Sequence, residues 1–272
     1  MITNLIKRVF SRISGRTCFK QPLPTLSLKQ SVIVASIITT GFILSVRQIG
    51  GLQFLELVAF DQMVRLQADA EPDPRLLIVK ITEADLQKYK QWPLSDDTLS
   101  QVLQKLQQSQ AKVIGLDLYR DIPQPPGYEA LLKELQKPNV ITIKKLGDQN
   151  IEGISPVAGI PPEQIGFNDL LMDPDGIVRR NLMYAFEGEK KFYSFSLRVS
   201  QKYLADRGAS LQITPYALLL GKTVFKPISA SAGGYQNIDN LGYQILISHR
   251  VKIILQYIGK CDFPSYFFWR TI

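Results

Sequence analysis

Residues 95–119 read SDDTLSQVLQKLQQSQAKVIGLDLY. Ser95 is an N-cap residue, with Asp96 and Asp97 in the first turn where the helix dipole favours acids. Leu99, Val102, Leu103 and Leu106 then recur at i, i+3, i+4 and i+7, one apolar helical face. The run 111–119, AKVIGLDLY, is short, continuous and apolar, as a strand buried on both faces requires. A helix leading into such a strand predicts an α/β fold. An earlier run of the same kind, LLIVKIT at 76–82, makes strand–helix–strand, so the two strands are expected to be parallel.

Working outward, EADLQKYKQ after the first run reads as one or two helical turns ended by Trp92-Pro93. YEALLKELQK is a short helix stopped by Pro138, and NVITIKKL at 139–146 a third strand. Residues 147–165 lack periodicity and form a long loop. IVRRNLMYAFEG and FYSFSLRVSQKYLADRG read as a strand and then a helix, and the tract from Leu211 to Arg250 is β-leaning. The expected sheet is mixed, partly parallel and flanked by helices.

Upstream, GLQFLELVAFDQMVRLQ at 51–67 is helical, with Leu52, Leu55, Ala59 and Met63 on one stripe and Glu56 on another face. Asp61 and Arg65, acid first and four apart, are spaced for a helix pair. EPDPR at 71–75 breaks the helix with two prolines and marks the joint to the body.

The 272 residues carry 32 basic and 24 acidic side chains, a formal charge of +8. Six of the bases (Lys7, Arg8, Arg12, Arg16, Lys20 and Lys29) lie in residues 1–29, which hold no acid, so the charge describes a basic tail more than a basic globule. Such a tail suits a nucleic-acid arm, but the adjoining segment argues otherwise. From Gln30 to Val46 no charge occurs for 17 residues, roughly 25 Å of helix and the short end of a bilayer span. Basic residues on its N-terminal side keep that end in the cytoplasm. A buried core helix and a cleaved signal peptide are the rival readings. The second lacks a small-x-small site in RQIGGLQF and has a long basic region. The expected organisation is a basic cytoplasmic tail (1–29), a transmembrane helix (30–47), a juxtamembrane helix (48–70), a body outside the cytoplasm (71–248) and an atypical tail (249–272).

Chemistry motifs are sparse. Two cysteines, Cys18 and Cys261, and one histidine, His249, make neither a disulfide framework nor a metal cluster. Gly221-Lys222-Thr223 lacks the glycine that a phosphate loop needs five residues earlier; Tyr216 stands there. No cofactor motif is present and enzymatic activity is not expected. Carboxylates remain. Asp117 falls near the carboxyl end of a predicted strand, and Glu83 and Asp85 follow another, the edge at which open α/β sheets take ligands. Asp117 also suits a turn cap. In DPDGIVRR at 173–180, Asp173 and Asp175 begin like a calcium loop but lack its later ligands. Pro174 and Gly176 make a turn, after which Arg179 and Arg180 point to opposite faces of a strand. One is expected to pair with Asp173 or Asp175, the other to be free for a partner or a buried carboxylate. These residues also remain candidates for ligand binding.

In order, LELVAFDQMVRLQ, DPRLLIVKITEADL, QWPLSDDTLSQVLQKLQQSQAKVIGLDLY, GFNDLLMDPDGIVRRNLMY and FYSFSLRVSQKYL resemble the CHASE2 domain, with GGYQNIDNLGYQILI continuing the pattern over residues 50–247. The resemblance implies an extracytoplasmic sensory module of bacterial signalling proteins. Such modules precede three further spans and a cytoplasmic effector. Residues 249–272 look like neither closing strands nor a span, so the chain is expected to be an input domain without its own effector, truncated from a larger receptor. An extracytoplasmic hydrolase using Glu83, Asp85 and Asp117 is the alternative. The expected partners are the lipid bilayer, a small-molecule or environmental stimulus and a second copy of the chain, with no nucleic acid. The expected location is the inner membrane, single-pass, N-terminus inside.

Overall fold

The computed structural model describes residues 27–67, 73–147, 151–239 and 241–247. The basic residues before Ser27, both cysteines, His249, Glu71-Pro72 of the joint and the tail from 248 lie outside the described residues. The chain forms two compact units, Met1–Leu52 and Gln53–Ile272.

The first unit holds helix α1, Leu28–Gln48, of 21 residues. Its start is fixed by a capping box: Gln30 N–H donates to Ser27 Oγ at 3.4 Å and Ser27 N–H to Gln30 Oε1 at 2.9 Å. The helix outruns the uncharged stretch at both ends, reaching roughly 32 Å, enough to cross the hydrocarbon core of a bilayer. Its mean hydropathy is 1.5 and none of it is buried. Val32, Ile37 and Phe42 are all more than half exposed. That bare apolar surface is consistent with a transmembrane anchor and contradicts a core helix.

The second unit opens with α2, Gln53–Arg65. Its buried face differs from the expected stripe. Leu57 is buried and Gln53, Glu56, Phe60, Asp61 and Val64 are half-buried, whereas Leu55, Ala59 and Met63 are exposed. Hydrophobic spacing locates an apolar face but not what covers it, and here the body takes the more polar side. Leu57 packs with Ile228 and Tyr235. Gln236 N–H donates to Gln53 Oε1 at 2.8 Å. At Gly234 a Cβ would stand 2.8 Å from the Glu56 Cβ, so only glycine admits the helix this closely.

The 76–82 run is the clearest correction. No strand forms there; Leu76 and Leu77 are 51% and 42% exposed, and the segment runs into helix α3, Glu83–Tyr89. An apolar run gives burial propensity, but a strand exists only where a neighbour offers a ladder. The expected pairing of 76–82 with 111–119 is therefore absent. The 111–119 strand contracts to β1, Ile114–Gly115. It pairs in parallel with β2, Val140–Lys144, which pairs in parallel with β3, Ile165–Phe167. All five β2 residues are buried, the polar Thr142 and Lys144 included.

Helix α4, Asp96–Gln108, begins as expected at Ser95, whose Oγ accepts from Thr98 N–H. Leu99 and Leu103 are buried and Val102 and Leu106 half-buried, so the four-residue face is the one that packs. It meets α5, Tyr128–Leu135, through Leu131 and Leu135 over Ile114 and Val140. The long loop contributes Val157 and Ile160 to this core. Gln164, in a single 3₁₀ turn at Pro162–Gln164, donates from Nε2 to the carbonyls of Leu135, Lys137 and Val140.

A second sheet is antiparallel: β4 (Leu171–Met172), β5 (Val178–Glu187), β6 (Lys190–Tyr193) and, after the elements below, β10 (Tyr243–Leu246). Helix α6, Phe195–Leu204, starts so close to β3 that a Cβ on Gly166 would lie 2.5 Å from Phe195 Cα. Strands β7 (Leu211–Ile213), β8 (Leu218–Leu220) and β9 (Thr223–Phe225) form a meander. Met183, Leu197, Leu218, Leu220 and Tyr243 make the second core. The protein is thus α/β, with an N-terminal apolar helix and mixed parallel and antiparallel sheets.

Candidate functional site

The turn at 173–176 closes as its sequence dictates. Asp173 N–H donates to Ile177 O, Gly176 N–H to Asp173 O, and Ile177 N–H to Asp175 Oδ1. Gly176 has φ +80°, which residues bearing a Cβ seldom adopt. This geometry presents the carboxylates of Asp173 and Asp175 to the start of β5.

Both arginines use them. Arg179, 1% exposed, donates from Nη1 to Asp173 Oδ2 at 2.8 Å and to Asp175 Oδ1 at 3.0 Å. Its Nε and Nη2 take the two oxygens of Asp61 on α2, at 2.8 and 2.7 Å. Nη2 also reaches Asp175 Oδ2 at 2.7 Å. Arg180 donates from Nε to Asp173 Oδ1 at 2.9 Å and from Nη1 to Gln244 Oε1 and Asp239 O. Tyr235 O–H donates to Asp173 Oδ2 at 2.6 Å, and the Arg180 guanidinium lies 5.5 Å from its ring centre. Of the two alternatives for the second arginine, a partner or a buried carboxylate, it is the carboxylate that the structure shows: both arginines converge on Asp173, whose side chain is fully buried. Charge explains the convergence, because a buried guanidinium needs acceptors for every N–H it removes from water.

The Arg179 guanidinium holds the carboxyls of Asp61 and Asp175 below the usual range. Those carboxylates, Asp61 first, raise Arg179 further above its ordinary value against the effect of burial. Burial, then the Asp173 hydrogen bond, pushes the Tyr235 phenol up. The network carries three carboxylates against two guanidiniums. Asp173 and Asp175, the two calcium candidates, are already occupied by guanidinium donors. Among the described residues no cluster of three or more histidine, cysteine or acidic side chains is arranged to hold a metal.

Asp61 and Arg65, paired by spacing, do different things. Asp61 turns inward to Arg179, 118 residues away in sequence, and Arg65 is exposed at the end of α2. Spacing does not single out Tyr235 or Gln244; only their place in GGYQNIDNLGYQILI hints at a role. A long-range acceptor leaves no spacing signal.

Asp117 stands apart, two residues beyond β1 at the carboxyl edge of the parallel sheet. Asn168, just beyond β3, donates from Nδ2 to Asp117 Oδ1 at 2.7 Å and accepts from Tyr119 O–H at 2.6 Å. Burial raises the Asp117 carboxyl, which Asn168 partly offsets. Burial also raises Asp169, whose Oδ2 accepts from Leu146 N–H beyond β2. The edge thus gathers Asp117, Tyr119, Asn168 and Asp169. The other two acidic candidates lie elsewhere. Asp85 is buried in the capping box of α3, accepting from Thr82 N–H at 2.8 Å and Thr82 O–H at 2.6 Å. Glu83 is exposed in that helix's first turn. With no strand at 76–82, neither sits at a strand end, and a catalytic set of Glu83, Asp85 and Asp117 gains no support.

Comparison with protein families matches the CHASE2 domain over residues 37–272. The match begins inside α1 and runs through 249–272, beyond the 50–247 that the motifs alone suggest. No curated protein and no solved structure gives a match. An apolar anchor-length helix, an α/β body and a family match over most of the chain lead to one conclusion: this chain belongs to the CHASE2 family of extracytoplasmic sensory domains.

Proposed function

We propose that this chain is a single-pass input domain of the inner membrane, N-terminus in the cytoplasm, and that α2 is its output element. One observation carries the reading. Asp61 of α2 commits both carboxylate oxygens to Arg179, which also binds Asp173 and Asp175 on the turn into β5. A stimulus that engages the Asp–Arg turn alters the partners open to Arg179. Its differential binding energy then shifts α2 between two positions. The basic residues before Ser31, unaccompanied by acids, support the orientation.

Topology reporters test the first half. Alkaline phosphatase fused after residue 120 is expected to be active and after residue 10 inactive, with the reverse for a fluorescent protein that folds only in the cytoplasm. Activity of the same reporter at both sites refutes the orientation. For the second half, α2 hydrogen exchange in membranes is expected to rise in Asp61→Asn while α4 and β2 keep their protection.

A further inference from the structure

Helix α2 is apolar on its outer face as well as on the face it packs against the body. The half facing the body carries Leu57, Phe60 and Val64 beside Gln53, Glu56 and Asp61, and the outer half carries Phe54, Leu55, Val58, Ala59, Met63 and Leu66 beside Gln62 and Arg65. The five large apolar ones of the outer half are 66%, 61%, 38%, 59% and 85% exposed. Leu66 continues the helical turn through its N–H bond to Gln62 O. Together they leave roughly 500 Å² of apolar area open, at the upper end of what a monomer tolerates.

We infer that a second copy of this chain covers this face, as a parallel two-fold pairing of α2 with α2. Three observations favour a helix over lipid as the occupant. Leu55, Ala59, Gln62 and Leu66 recur at spacings of four, three and four, the a/d repeat of a helix pair. Gln62 lies in the middle of that seam. An amide there is a cost in hydrocarbon, but across a two-fold axis it bonds its own copy and fixes register. Among the residues of the outer face, Arg65 is the one base, too little for an interfacial helix that binds anionic headgroups. With the flanking Phe54, Val58 and Met63 covered as well as the seam, two such faces bury at most roughly 1,000 Å², the threshold of a specific interface. The inference rests on the anchored reading above, in which the same four residues, Ile49–Leu52, join α1 to α2 in every copy.

The test is disulfide cross-linking in native membranes, using the full chain with Cys18→Ser and Cys261→Ser. Single cysteines replace Leu55, Gln62 or Leu66, with exposed Lys133→Cys on α5 as the control. Sedimentation precedes oxidation, and cross-links are read in both fractions. The expected result is covalent dimer at the three seam positions, at least fivefold above the control. A chain that remains in the supernatant refutes the anchor, and the seam is still decided by its cross-links. Cross-linking no greater than at Lys133→Cys overturns the pairing. Quenching of a fluorophore at the same cysteines by spin-labelled lipid, without cross-linking, overturns it in favour of the bilayer.

Discussion

Replacing Arg179 with Met separates the network's role in α2 docking from ordinary packing. The guanidinium is 1% exposed and faces a fully buried Asp173 and an Asp61 whose side chain is 16% exposed. Removing one partner of a buried ion pair leaves uncompensated charge and costs about 3–5 kcal/mol. Over a body of this size, that lowers the melting temperature by roughly 6–20 °C. Asp61→Asn removes only the α2 end, two charge-assisted bonds of 2.8 and 2.7 Å, at about 1.5–3 kcal/mol. Leu57, the one buried residue of α2, contributes about 1.5–3 kcal/mol by burial, so the ion pair matches the helix's most buried packing contact. The assay is a double-mutant cycle of Asp61→Asn and Arg179→Met on the full chain in nanodiscs, with unfolding followed by near-UV circular dichroism. The expected coupling is about 1–3 kcal/mol. Additive effects, with coupling below about 0.5 kcal/mol, would refute the claim that Arg179 holds α2 through Asp61.

Other outcomes follow from the same geometry. Tyr235→Phe removes the donor 2.6 Å from Asp173 Oδ2 and is expected to cost about 1.5–3 kcal/mol in thermal unfolding, whereas Tyr216→Phe, at an exposed site, changes nothing. Asp61 and Asp175 titrate below 3.8 when folded and near 3.8 when unfolded. The stability they add is complete above about pH 4 and declines as pH falls through their folded values, so the melting gap between wild type and Asp61→Asn narrows on acidification below pH 4. Asp117 has the opposite sign: its carboxyl is raised by burial, so Asp117→Asn is expected to raise the melting temperature at pH 7 and leave it unchanged at pH 3. Gly166→Ala drives a methyl into the Phe195 backbone and is expected to cost about 1–3 kcal/mol or more, with α6 exchanging fastest.

Helices with strong local signals were legible in the sequence. Ser95 and the 99–102–103–106 face place α4, and the β-branched run Val140-Ile141-Thr142-Ile143 places β2. The DPDG turn is written locally and forms as read. What failed were statements about partners. LLIVKIT has the composition of a strand but no ladder, and Leu55, Ala59 and Met63 of the apolar stripe are exposed. The network failed for the same reason. Asp61 finds Arg179 over 118 positions, and Arg180 finds Gln244 over 64, distances at which spacing carries no information. The Asp117–Asn168 contact spans 51 positions and was half visible, since the strand-edge rule picks out Asp117 but not the amide that meets it.

The fastening of α2 bears on how the protein can be dissected. A soluble fragment begun at the proline-rich break of 71–75, the boundary that composition alone recommends, discards the carboxylate that satisfies Arg179 Nε and half of Nη2. It also removes Leu57 from its seat against Tyr235. Biochemists wishing to study the extracytoplasmic portion in isolation should cut ahead of Gln53 and shield the oily outer surface with detergent, because the helix that looks like a stalk is an integral wall of the receptor.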